Sequence, residues 1–139
     1  NSFREKLGEG DFDLSGTSVN FYMALHTSAA SALVNTATLS TQASIANEVA
    51  AGNGYATGGL SVSGRTWAAG GSAGVFRFDS TAVVWTATGG DINNVKYAVI
   101  FQSAGKLVCF SKLSTSQFNL TQDNTLTVTP SANGIFELT

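Results

Sequence analysis

From Leu60 to Thr139 the sequence repeats one short cycle, in which an apolar or alternating run is followed by a cluster of turn-forming residues. The runs fall at 60–67, 74–80, 82–86, 95–102, 107–113, 126–129 and 135–139. Turn clusters separate most of them: AAGGSAG at 68–74, TGGDINN at 88–94, SAGK at 103–106 and PSANG at 130–134. Spacing this tight leaves no room for the helical crossovers of βαβ units. It predicts an all-β chain, an antiparallel β-sandwich or a jelly-roll or barrel-like domain. The last two clusters read as hairpin turns. KYAVIF at 96–101 is apolar at nearly every position, which predicts a central strand covered on both faces.

The first half is built differently. Val19, Phe21, Met23 and Leu25 alternate with Asn20, Tyr22, Ala24 and His26, the period of a strand with one face in a core. His26, the only histidine, reads as a strand-end surface residue or a hydrogen-bonded one. Residues 27–51 form a long Ala/Ser/Thr-rich insertion or loop whose single charge is Glu48. Leu39, Ala43, Ala46 and Val49 or Ala50 recur at helical spacing and predict a short helix over 40–49. The following stretch places Gly52, Gly54, Gly58, Gly59 and Gly64 around Tyr55, so Asn53-Gly54 and Gly58-Gly59 read as tight bends that aim the strand starting at Leu60. Residues 1–18 form an N-terminal arm. Ser2 and Glu5 suit a capping box, so the arm reads as a short helical or extended segment, the helix running over 2–7 and ended by Gly8 and Gly10.

Composition narrows the chemistry. The 139 residues fit one domain by length and can bury a core unaided. Charged residues make up 12%, against about 25% in typical domains, so Ser, Thr, Asn, Gln and Ala must cover the surface. Charge-depleted surfaces suit packing between protein copies. The seven basic residues are scattered, which argues against direct nucleic-acid binding. No apolar run reaches the ~18 residues of a membrane span, and the opening lacks the basic-then-apolar order of a signal peptide. Cys109 cannot pair within the chain and reads as a small core residue. DFDLSG at 11–16 opens like a calcium loop, but Tyr22 stands where the bidentate acid is needed, so it reads as a polar turn and no metal is expected. No nucleophile elbow, phosphate loop or zinc helix occurs, and no catalytic residue or cofactor is expected. Phe76-Arg77-Phe78, Trp67 and Trp85 suit core packing better than an aromatic binding platform. Asn119-Leu120-Thr121 matches a glycosylation pattern of low specificity.

The order of the pieces carries a resemblance. The opening NSFREKLGEGDFDLSGTSVNFYMALHTS, the segment ANEVAAGNGYATGGLSVSG at 46–64, FDSTAVVW at 78–85 and KYAVIFQSAGKLVCF at 96–110 together resemble small structural proteins of tailed bacteriophages. The resemblance implies a non-enzymatic virion protein, foremost a capsid decoration, or cement, protein on the outer head surface. Its implied partners are the major capsid protein or other virion proteins and copies of itself, with a homotrimer favoured. The alternative is a tail or head-fibre component, or a receptor-binding module contacting host glycan through exposed aromatics such as Tyr55 or Trp67. The arm and the 27–51 segment are the parts expected to touch the shell or neighbouring copies. The residues singled out for interaction or structural roles are Phe3, Leu7, Phe12, Asn47, Glu48, Tyr55 and Trp67.

Overall fold

The computed structural model describes residues 7–15, 19–28, 41–103 and 105–139. The chain is an all-β, antiparallel, sandwich-like domain. Its largest sheet holds β1 (Phe21–His26), β2 (Leu60–Ser61), β7 (Tyr97–Gln102) and β8 (Leu107–Lys112) in the order β2-β1-β7-β8. Strands β1 and β7 pair along their whole length, from Phe21 opposite Gln102 to His26 opposite Tyr97. Alternation along β1 decides which residues go where. Phe21, Met23 and Leu25 face the main core, while Tyr22, Ala24 and His26 face the other way.

Three smaller sheets complete the fold. The first runs β11-β4-β3, with β3 (Thr66–Ala69), β4 (Phe76–Asp79) and β11 (Phe136–Leu138). The second pairs β5 (Val83–Thr86) with β10 (Thr125–Val128), and the third pairs β6 (Ile92–Val95) with β9 (Phe118–Leu120). Their inward residues Phe78, Val83, Trp85, Ile92, Val95 and Leu120 join β1 in one buried cluster. The rings of Phe21 and Phe78 meet across it, 5.3 Å between centroids. Phe12 and Leu14 of the arm are buried in the same cluster.

Every residue of β7 is buried, as the run KYAVIF predicts. Its second face packs Tyr97 and Val99 with Ile45, which comes from the segment after β1. The short helix predicted over 40–49 is not formed. A 3-10 turn spans only Gln42–Ser44, and Glu48 then bridges His26 in extended backbone. Helical spacing of small residues is outweighed here by the free edge of β1, which offers partners to the segment's backbone: Val49 donates to the Leu25 carbonyl at 2.9 Å. Most of 27–40, and the start of the helix predicted over 2–7, lie outside the described residues. Leu7 and Gly8 are helical, and Gly10 closes on the Leu7 carbonyl at 3.2 Å.

The turn at 103–106 joins β7 to β8 as a hairpin, but that at 130–134 does not make one. Strand β10 pairs with β5, whereas β11 pairs with β4, so 130–134 is a corner at which the chain changes sheets. Ile135 anchors the far side by donating to the Phe78 carbonyl at 2.8 Å. Strands β6 and β9 were masked in the sequence by polar residues. Asn94 adopts a left-handed conformation (φ 64°) at a register shift, and its N–H donates to the Asn119 side chain at 3.0 Å. An asparagine that looks like a turn former is here a bulge within a ladder.

Candidate functional site

The segment 47–59 forms a belt pinned to β1. Thr27 donates to the Asn47 carbonyl at 3.0 Å and Val49 to the Leu25 carbonyl, so 47–49 runs alongside the end of β1. Asn53-Gly54 is a two-residue turn with positive φ at both positions, closed by reciprocal bonds between Gly52 and Tyr55 at 2.8 and 2.9 Å. Gly54 and Gly59 are fixed by contact as well as by φ. A Cβ on Gly54 would lie 2.2 Å from the Thr86 carbonyl oxygen, and one on Gly59 would lie 1.9 Å from that of Met23.

At the centre of the belt, Glu48 accepts from the Tyr55 hydroxyl at 2.7 Å and the Gly58 N–H at 2.6 Å, both on Oε1. Its Oε2 accepts from the Gln42 amide at 2.9 Å. The Tyr55 hydroxyl in turn accepts from the Leu25 N–H at 3.0 Å. With its one proton directed at the carboxylate, the longer approach to the Leu25 carbonyl at 3.4 Å is not a second donation. Burial first, and the bond to Glu48 second, hold the phenol well above its ordinary value of 10, so it stays a neutral donor. This constellation is structural chemistry: a half-buried carboxylate orders a glycine-rich loop.

A different surface lies on the outside of β5 and β10. Val83 and Trp85 point inward, which turns Ala82, Val84, Thr86 and Thr88 outward. Thr125 lies opposite Thr86 and Thr127 opposite Val84, and Thr129 continues the row. All seven outward residues are exposed and none is charged, and Val84 keeps 46% of its surface in contact with solvent. Uncharged and mostly β-branched, this face shares the charge depletion of an interface core. Among the described residues, β10 pairs only with β5, so its other edge is open.

The residues singled out from the sequence separate into distinct roles. Phe3 lies outside the described residues. Leu7 and Phe12 pack into the core, Asn47 is exposed with φ 65°, and Glu48 orders the belt. Tyr55 is 3% exposed, which overturns its reading as a solvent-facing aromatic: the ring fills the main core and only its hydroxyl reaches the belt. Trp67 is half-buried and stacks on Phe76, at 5.7 Å and 23° between ring planes, with Phe136 behind it. Phe76 is 48% exposed. By alternation it faces the same side as Phe78, which is fully buried. His26 is neither surface nor hydrogen-bonded: it is fully buried, and both ring nitrogens lack a partner among the described residues. No spacing rule marks it, because its burial depends on the return of 45–49 alongside β1.

Asp11, in the polar turn, pairs with Lys106 at 3.1 Å. The Cys109 thiol lies deep beside a cavity of about 330 Å³, lined also by Met23, Ile100, Val128, Pro130 and Ile135. Burial pushes that thiol up to about 12. No family model matches the chain, and neither a curated protein nor a solved structure matches it significantly.

Proposed function

We propose that this chain is a non-enzymatic structural protein of a phage virion, a decoration protein that docks on the outside of an assembled head. The observation that carries the reading is the exposed, charge-free face Ala82–Val84–Thr86 and Thr125–Thr127–Thr129 beside the open edge of β10. The resemblance of the opening, the glycine belt and the β7–β8 hairpin to small tailed-phage proteins supports it. Such a face gives little affinity in one copy. Repeated over a lattice it multiplies by avidity, and self-association as a trimer would suit the local threefold positions of a shell. The partners are then the major capsid protein and copies of this chain.

Quantitative mass spectrometry of purified particles tests the proposal. About one chain, or one trimer per threefold position, for each matching set of shell subunits is the expected ratio. Absence from particles would overturn the virion reading, and a few copies per particle would move the chain to a fibre or tail.

A second reading, a glycan-contacting module, is favoured by one observation, the stack of half-buried Trp67 on exposed Phe76. It predicts glycan-array binding that Phe76→Ala removes while the fold persists.

A further inference from the structure

His26, the chain's one histidine, is fully enclosed among the described residues. It is 0% exposed, and neither ring nitrogen has a hydrogen bond among the described residues. Its carbonyl accepts from the Lys96 N–H at 2.9 Å, and its pairing with Glu48 is held by the flanking bonds from Thr27 to the Asn47 carbonyl and from Val49 to the Leu25 carbonyl. The ring lies against the 45–49 segment, near the Ala46 carbonyl and Glu48, where that segment runs antiparallel alongside the end of β1.

The groups around it come from three elements. The 41–49 segment contributes Glu48, Gln42 and the Ala46 carbonyl. Strand β7 contributes Tyr97, directly opposite His26, and the link from β6 to β7 contributes Lys96, whose ammonium lies 5.5 Å from the Tyr97 ring centroid. Tyr55, on the opposite face of β1, connects to this group only through its bond to Glu48. Burial holds the imidazole below its ordinary value of 6.5, against the opposing pull of the Ala46 carbonyl and the Glu48 charge. The Ala46 carbonyl lies close enough to favour the charged ring, but the approach does not meet hydrogen-bond geometry. Glu48, the only carboxylate of this group, already accepts three hydrogen bonds, from Tyr55, Gly58 and Gln42.

We propose that His26 is an acid-operated latch on the 41–59 segment. A protonated ring against the segment needs an acceptor for each N–H, and those within reach are the Ala46 carbonyl and Glu48. Turning Glu48 toward the imidazolium takes it from Gly58, Tyr55 and Gln42, the bonds that hold the belt. Leaving it in place keeps an unpaired cation buried. Either way the favourable course on acidification is local opening of 41–59, which lets water reach the ring while the two-layer core stays closed. The proposal stands independently of the docking reading.

Because the chain has one histidine, its ring can be followed in the unmodified protein by NMR, together with amide exchange between about pH 7.5 and about pH 5. Rates are corrected for the intrinsic pH dependence of exchange. The expected result is an imidazole midpoint below 6.5, and at least a tenfold loss of protection at Val49 and Thr27 with the same midpoint. Ile135, bonded to Phe78 in the other layer, keeps its protection. His26→Phe should remove the pH dependence at Val49 and Thr27. A midpoint at or above 6.5, unchanged protection, or loosening that persists in His26→Phe overturns the latch. If that variant does not fold, the unmodified protein decides through the coincidence of the two midpoints, and their separation also overturns it.

Discussion

The 47–59 belt and the outer face of β5–β10 are both rich in small, uncharged residues, yet they are held in opposite ways. In the belt, Glu48, Tyr55, Asn53 and the bends form a closed set of bonds: even the Asn53 amide donates to the Asp91 carbonyl, at 2.8 Å. On the outer face the Thr side chains and Val84 are exposed. The difference teaches where selection on folding ends. A belt residue is fixed by what it touches within the chain, whereas an outer-face residue could change with little effect on the fold, so its lack of charge needs a reason outside the fold.

The sharpest way to break the contrast is in the belt. Gly59→Ala puts a methyl 1.9 Å from the Met23 carbonyl oxygen at φ 70°, so β1 or the bend must move. We expect a loss of about 3–5 kcal/mol in denaturant unfolding, or no folded protein. Gly89→Ala provides the control. Its φ is 78° but its Cβ would meet nothing within 4 Å, and about 1 kcal/mol is expected from backbone strain alone. Equal losses at the two sites would show that φ, not contact, governs the belt.

Glu48→Gln tests the next level. The substitution keeps the shape but removes the charge that strengthens the bonds from Gly58 and Tyr55, and a cost of about 2 kcal/mol follows. Tyr55→Phe keeps the buried ring and strands the Leu25 N–H, for about 1–2 kcal/mol. Because the two residues share a bond, the double variant should cost less than the sum of the singles. Strict additivity would mean that the carboxylate and the hydroxyl act separately.

The same contrast marks what could be read from the sequence. Period-two alternation exposed β1, and the apolar run exposed β7, because burial leaves a direct imprint on residue type. The bends at Asn53-Gly54 and Gly58-Gly59 were legible because positive φ selects glycine and asparagine. Pairing between distant strands was not: nothing local distinguishes the hairpin at 103–106 from the sheet-changing corner at 130–134. The small-residue pattern of 40–49 imitated a helix because Ala carries no face preference, and only the open edge of β1 decides it. The enclosure of His26 and the burial of Tyr55 are products of that same long-range return. The outer face was visible only as a global shortage of charge, without an address until the register set Val84 against Thr127.

The smallest effect on stability should come with the largest effect on association. Val84→Lys and Thr127→Lys place ammonium groups on exposed, opposed positions of β5 and β10. Each should change unfolding free energy by no more than about 0.5 kcal/mol, since neither side chain packs inward and lysine stays hydrated there. If the face docks on a shell, burying either charge without a partner costs several kcal/mol per copy and is repeated at every site. Occupancy on heads should then collapse although the free protein unfolds normally. A paired Val84→Lys, Thr127→Glu variant is more discriminating, because it restores neutrality across the ladder but not the uncharged surface. Recovery of occupancy in the pair would mean that net charge on the face sets docking, and continued loss would mean that the contact requires a dry, uncharged ladder. Normal occupancy in both single variants would place the contact elsewhere on the molecule, with the Trp67–Phe76 end as the next surface to change.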